Sequence, residues 1–235
     1  MVYNDLFHVH TYRCRHAGKY TDIDYINEAL NLNAKSIYFT DHAPFPKDVF
    51  KNRMRIEELN EYINSLLSLK KQYNDRIKIN IGLEIEYLPE YISYYKWLKD
   101  KYNIQLFLGQ HICYFKGHYN FEYENKKEEY KWMTNSIIEA IDTGLFDVLL
   151  HPERIYKNCD IWNEQQITSA NEIWKVTQNN NIPVEYNYSS IVNKNIKYWH
   201  SKFWEKKIHN NIIYGIDAHG IKELYDGTNF FRIKN

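Results

Sequence analysis

No run of apolar residues in this chain approaches the roughly 20 needed to cross a bilayer. Its first residues, Met1-Val2-Tyr3-Asn4-Asp5, lack the basic start and apolar stretch of a secretory signal. A cytoplasmic location is the expectation. Cysteine is sparse: Cys14, Cys113 and Cys159 form an odd, scattered set without CxxC spacing, so neither a disulfide framework nor a cysteine-zinc knuckle is indicated. Net charge is absent as well, with 30 Lys plus Arg against 30 Asp plus Glu. That balance removes the broad electrostatic case for nucleic acid or a membrane surface as partner, and any anionic substrate must be met locally. Glycine is scarce at 8 residues while tyrosine reaches 22, a bias that speaks of coding composition more than of chemistry.

What is present is a repeating pattern. The 235 residues can bury a full core, and one domain spanning 1–235 is expected. Short apolar runs alternate with longer segments of helical period, as in βα units around a mostly parallel sheet. Seven runs can be counted: Tyr3 to Val9, Ser36 to Thr40, Lys78 to Leu83, Gln105 to Gly109, Asp147 to Leu150, Ile182 to Tyr186 and Ile212 to Ile216. Helix candidates between them include Asp24 to Leu32, Ile56 to Tyr73, Lys126 to Thr143 and Glu164 to Asn179. Seven units are one short of the usual eight, so a distorted or incomplete barrel is favoured over a regular one, with an open doubly wound sheet as the alternative.

Chemistry-bearing residues follow each run. His8 and His10 stand at the end of the first, Asp41 and His42 after the second, and Glu84 and Glu86 after the third. His111 follows the fourth, His151 the fifth, Glu185 ends the sixth, and Asp217 with His219 follows the seventh. In a parallel barrel these points converge on the C-terminal rim, where barrel enzymes keep their active sites. Of ten histidines, seven (His8, His10, His16, His42, His111, His151 and His219) lie at or just beyond such ends. One buried histidine is usually a hydrogen-bonded core residue. Seven at one level, mixed with carboxylates, need cations to offset their mutual repulsion, and a mixed N/O donor set suits Zn, Mn or Fe. His8-Val9-His10 and Asp217-Ala218-His219 each put two donors on the same side of a strand if side chains simply alternate.

These residues carry a family resemblance. Phe7-His8-Val9-His10-Thr11, Cys14-Arg15-His16-Ala17, Phe39-Thr40-Asp41-His42-Ala43-Pro44, Gly82-Leu83-Glu84-Ile85-Glu86, Leu108-Gly109-Gln110-His111, Leu149-Leu150-His151-Pro152 and Gly215-Ile216-Asp217-Ala218-His219 resemble, in family order, the PHP (polymerase and histidinol phosphatase) superfamily and its histidinol-phosphatase-like branch. The resemblance implies an α/β fold, a distorted (β/α)7 TIM-like barrel, and two to three divalent transition metal ions in a nine-ligand site. By analogy His8, His10, Glu84 and Asp217 hold one metal, with Glu84 bridging to a second held by His111 and His151; His16, His42 and His219 hold the third. The implied reaction is hydrolysis of a small phosphorylated metabolite by a metal-activated hydroxide, with L-histidinol phosphate as the first substrate. A sugar, nucleotide or capsule-related phosphate is the rival. An amidohydrolase-type C–N hydrolase and a non-catalytic metal-binding module are further alternatives, although Lys78 and Lys99 do not stand where such hydrolases bridge their metals, and nine ligands leave open coordination positions that a structural zinc site lacks.

A phosphomonoester also needs cationic side chains for its non-bridging oxygens. Arg154, three residues past His151, is the first candidate and Arg15, beside His16, the second; Arg13 and Lys157 complete the set. Asp217, with His219 beside it, or a metal-bound water could protonate the leaving oxygen. Glu185 and Asn187, two apart on the sixth run, and Gln110 could recognise the organic part, an acidic side chain suiting the ammonium of an amino alcohol. Asp41, next to His42, could orient a ligand or make an ordinary strand-end hydrogen bond. Tyr12, Tyr87, Tyr114, Phe115 and Tyr156 flank the motifs, with packing as their simplest role.

Overall fold

A computed structural model describes residues 3–47 and 50–234. In chain order the regular elements are β1 (Asp5–Val9), α1 (Asp22–Asn31), β2 (Ser36–Phe39), α2 (Leu59–Gln72), β3 (Lys78–Ile85), α3 (Ile92–Tyr102), β4 (Gln105–Leu108), β5 (Tyr114–Phe115), β6 (His118–Tyr119), α4 (Glu129–Asp142), β7 (Val148–Leu149), α5 (Glu164–Asn179), β8 (Val184–Asn187), α6 (Tyr188–Val192), α7 (His200–Trp204), β9 (Ile212–Ala218) and α8 (Ile221–Lys234). The strand order β1-β2-β3-β4-β7-β8-β9 closes as a barrel. Every one of the seven apolar runs supplies one of its strands, so the (β/α)7 expectation holds and the open sheet is excluded. No helix among the described residues is long and apolar enough to cross a membrane.

Contacts divide the chain into two compact units. The first holds the chain up to Glu84, Asn187–Ser189 and Tyr214 onward. Here β9, β1, β2 and β3 pair in parallel, with Phe7 opposite Gly215, Leu6 opposite Ile37, and Ile37 opposite Ile79. Leu6, Ile37 and Ile79 are fully buried, which drives the pairing. Helix α1 starts where the sequence offers a capping box: Asp24 accepts from the Thr21 amide at 2.7 Å while the Thr21 hydroxyl takes the Asp24 amide. Its buried Tyr25, Ile26 and Ala29 share one face. Helix α8 comes so close to β9 that a Cβ on Gly227 would lie 2.5 Å from Ile216 Cγ2.

The second unit holds Ile85–Tyr186 and Ser190–Ile213. Strands β4, β7 and β8 pair in parallel. Lys99 of α3 donates to Asp147 at 2.8 Å and to the Leu145 carbonyl at 2.9 Å, while Asp147 also accepts the Leu106 amide at 2.9 Å. That brace accounts for Lys99, which takes no part in a metal bridge. The β5–β6 hairpin turns on Lys116 and Gly117, both at positive φ (49° and 88°), the requirement of a two-residue turn matched to strand twist. Trp174 is fully buried against Phe203, ring centroids 5.2 Å apart.

Candidate metal centre

Seven of the nine predicted ligands lie in the first unit, and the barrel gathers them. His8 Nε2 stands 3.1 Å from Glu84 Oε2, His10 Nε2 3.2 Å and His42 Nδ1 3.4 Å from the same oxygen. Asp217 Oδ1 faces His8 Nε2 at 3.5 Å, His10 Nε2 at 3.3 Å and His219 Nδ1 at 3.5 Å. His219 stacks on His10 with ring centroids 4.2 Å apart, and His16 lies 4.5 Å from His219 and 5.3 Å from His42. Ligand atoms of His8, His10 and Asp217, of His10, His42 and Glu84, and of His16, His42 and His219 fall in groups within 4.8 Å of one another.

Simple strand alternation does not produce this convergence. Both ladders of β1 shift register between residues 6 and 9, and His8 sits at φ 72°. The bulge re-aims His8 so that its ring lies 4.9 Å from that of His10. Asp217 is likewise at φ 59°. Non-glycine residues in this region cost on the order of 1–3 kcal/mol each and persist where the surroundings over-determine them, commonly at functional sites.

His10 is fully buried, yet neither ring nitrogen makes a well-formed hydrogen bond. Carboxylate oxygens at 3.2 and 3.3 Å with directions that miss hydrogen bonding are donors aimed at shared points instead of at each other. Nitrogen and oxygen donors so arranged fit divalent metal ions. Burial opposes a charged His10 ring, but Asp217, Cys14 and Glu84 raise its pKa well above the usual histidine value; in an ion-free pocket the proton is the competitor for these lone pairs.

In the second unit His111 and His151 approach to 4.8 Å between ring centroids. His151 stands at φ 27°, and its amide donates to Glu185 Oε2 at 2.9 Å. Glu185 is fully buried, so one oxygen of the expected substrate partner is committed to fixing a predicted ligand. Gln110 binds the backbone of Tyr87 through both ends of its amide and that of Ile112 through its nitrogen, and so orders a loop. Asn187, buried as the last residue of β8, belongs to the first unit.

The basic candidates separate. Arg13 is buried in a double fork with Asp22 and Glu61, at 2.7–3.0 Å, so its guanidinium is a structural tie. Arg15, at φ 71° with its side chain 41% exposed, pairs with Glu58. Lys157 is exposed. Arg154 is half-buried, donates from Nε to Ser190 Oγ at 2.9 Å, and lies over the Tyr198 ring. Tyr87 and Tyr156 are core residues, Phe115 stacks on Trp132, and Tyr12 and Tyr114 are largely exposed.

Asp41 is tied to the chain just after β1. Its carboxylate takes the Thr11 amide at 2.7 Å and the Thr11 hydroxyl at 2.6 Å. Burial pushes it up to about 7 while His10 and Thr11 pull the other way. Thr11 caps the turn Tyr12–Cys14, and that turn carries a residue sequence reasoning passed over. Cys14 is fully buried, and its Sγ groups within 4.8 Å with ligand atoms of His10 and His219. Burial opposes the thiolate, yet the neighbouring His10, His16 and His219 rings bring the thiol down to about 3. The available signal was its position two residues before His16; a search for CxxC pairs does not find a lone thiol among histidines. Glu153, fully buried beside Arg154 and pushed up to about 7 by burial, also escaped notice.

The PHP domain family matches residues 7–189. A histidinol-phosphatase of Bacillus subtilis is 36% identical over 90 residues, covering 36% of this chain and 34% of that protein. A Schizosaccharomyces pombe protein named a probable histidinol-phosphatase is 36% identical over 106 residues, covering 41% and 34% respectively. The matched stretches thus span about a third of the length of these two relatives. Among solved structures, a histidinol phosphate phosphatase of Lactococcus lactis, complexed with zinc, L-histidinol and phosphate, superposes with TM-score 0.74 at 16% identity, covering 100% of this chain and 94% of that one. A Listeria monocytogenes protein assigned as a histidinol phosphatase gives 0.79 at 17% identity, covering 97% and 99%. At such identities the structural likeness speaks for the fold.

Proposed function

The chain belongs to the PHP domain family, and from that premise we propose that it is a metal-dependent phosphomonoesterase acting on a small phosphorylated metabolite, L-histidinol phosphate before others. The observation that carries this reading is the buried His10, crowded by Glu84 and Asp217 oxygens and making no well-formed hydrogen bond of its own. The two curated relatives compared above carry histidinol-phosphatase names, which favours that ester over a sugar or nucleotide phosphate.

The proposed ligands are His8, His10, His16, His42, Glu84, His111, His151, Asp217 and His219. Divalent ions there supply Lewis acidity and lower the pKa of water from about 15.7 towards about 7. The chain's own groups do the rest. Glu84 and Asp217 balance the cationic charge and hold His8 and His10 in register. Arg154, fixed by Ser190 and backed by Tyr198, offers a planar fork to the phosphate oxygens; Arg15, drawn off by Glu58, and the exposed Lys157 rank behind it. Asp217 is the candidate to accept the proton lost by the attacking water and to pass it to the leaving oxygen. Glu185 acts first on His151, through the amide it accepts.

The test is phosphate release by protein loaded with Mn or Zn, with a chelator control, from histidinol phosphate, sugar phosphates, nucleotides, a chromogenic diester and a C–N substrate. Chelator-sensitive preference for histidinol phosphate is expected. Preference for another ester moves the substrate and keeps the reaction; C–N hydrolysis alone overturns the phosphoesterase reading.

A further inference from the structure

Cys14 is not among the nine ligands, but its surroundings are those of one. The turn that bears it is locked from both sides: Asp41 holds Thr11 through two hydrogen bonds, and Arg13 bonds Thr11 Oγ1, Asp22 and Glu61. A short turn so tied has little freedom to swing its next side chain. The Cys14 Sγ is thereby delivered, without solvent exposure, into a group with His10 and His219 in which all three ligand atoms lie within 4.8 Å. Independently of the thiol, the His10 ring beside it is fully buried with neither nitrogen in a well-formed hydrogen bond. His219 Nε2 is also buried and unpartnered in the same way.

Resting on the metal reading above, we propose that Cys14 is a tenth ligand, a thiolate that joins His10 and His219 in holding one of the ions. The chemical consequence is selectivity. A soft sulfur donor favours zinc or ferrous iron over manganese and magnesium, which prefer oxygen, so the site would carry an ion of chalcophilic type. Cys113 and Cys159 are buried elsewhere, their thiols pushed up by burial to about 12 and about 11, and serve as internal controls.

Three measurements test this without recourse to turnover. In the cobalt-substituted protein we expect a near-ultraviolet thiolate-to-cobalt charge-transfer band beside the visible ligand-field bands. Cys14→Ser should abolish the first and keep the second, whereas Cys113→Ser should keep both. Zinc-over-manganese selectivity should fall at least about tenfold in Cys14→Ser, the smaller end of what loss of even an outer partner produces. Because that variant could misfold, the third measurement uses the unaltered chain: X-ray absorption of the zinc-loaded protein should contain a sulfur shell near ~2.3 Å in addition to nitrogen and oxygen at ~2.0–2.2 Å. Ligand-field bands without charge transfer, or a zinc shell of nitrogen and oxygen alone, overturns the thiolate and leaves the metal site standing. Failure to bind cobalt or zinc at all overturns both.

Discussion

Asp41 carries a buried carboxylate whose whole visible task is to hold one threonine. Thr11 Oγ1 donates to Asp41 and accepts from Arg13 at 3.0 Å. An amide at position 41 can still accept the Thr11 backbone N–H, but its NH2 would compete with Arg13 for the hydroxyl oxygen and leave the hydroxyl proton without its acceptor. Asp41→Asn should therefore loosen the turn leading to Cys14 and His16, lowering metal affinity by about 10–100-fold while far-UV circular dichroism is unchanged. Equilibrium dialysis against zinc decides it, and wild-type affinity in the variant would falsify the positioning role. At this scale the sequence was informative about which residue types congregate, because strand ends of a parallel barrel must converge. It was silent on what each side chain does there. Arg13 and Arg15 look equivalent in sequence, and only packing against Asp22 and Glu61 turns the former into a buried tie.

Elements with strong local signals are legible, and those fixed by packing are not. Helix α5 spans the expected Glu164 to Asn179, because Asn163 and Gln166 form a capping box, and α1 starts within two residues of expectation for the same reason. Strand β1 was legible as a strand, but its bulge was not, since a positive φ at a histidine is imposed by tertiary neighbours. Helix α8 illustrates packing in the other direction. Ala at position 227 gains up to about 1 kcal/mol of helix propensity, yet its Cβ would sit 2.5 Å from Ile216 Cγ2 and 3.0 Å from Tyr188 Cδ1. Overpacking costs about 1–3 kcal/mol, so Gly227→Ala should lose stability on balance, seen as a lower urea midpoint with unchanged slope. A rise in the midpoint would mean that α8 can slide away at no cost. The link between α5 and the segment before β9 offers a pH test. His209 accepts the Asn211 amide on Nδ1 at 3.2 Å, so the proton of the neutral ring is on Nε2, facing Thr177 Oγ1 at 3.0 Å. Burial, then Lys207, lower its pKa. A base whose pKa is depressed on folding contributes stability above its unfolded value of about 6.5 and loses it as the pH falls through the folded one. The melting temperature should therefore decline more steeply below about pH 6.5 in the wild type than in His209→Gln; parallel curves would show that this ring carries no linkage.

For the molecule as a whole, backbone strain and metal binding belong to one balance. His8, Asp217 and His151 all stand at positive φ, and each such residue costs on the order of 1–3 kcal/mol. Like-charged Glu84 and Asp217 are both almost fully buried among imidazoles, a further cost unless cations or protons offset it. A fold that stores this much at predicted ligands should draw stability from the ions they hold. Each ion present at 100 times its dissociation constant contributes about 2.7 kcal/mol, and at this chain length 1 kcal/mol shifts the melting temperature by about 2–4 °C. Removal of a single ion by a chelator should thus lower the melting temperature by roughly 5–10 °C, and zinc should restore it. The restoration separates linkage from damage by the chelator. The second unit refines the expectation, because His111 and His151 belong to it while the other seven proposed ligands belong to the first. Stepwise zinc addition followed by hydrogen exchange should protect Asp5–Val9 and Ile212–Ala218 as the first-unit ligands fill, and Val148–Leu149 as the histidine pair does. A melting temperature indifferent to chelator and zinc would mean that the strained histidines are held by packing alone, and the metal reading would then have to stand without any energetic support from the fold.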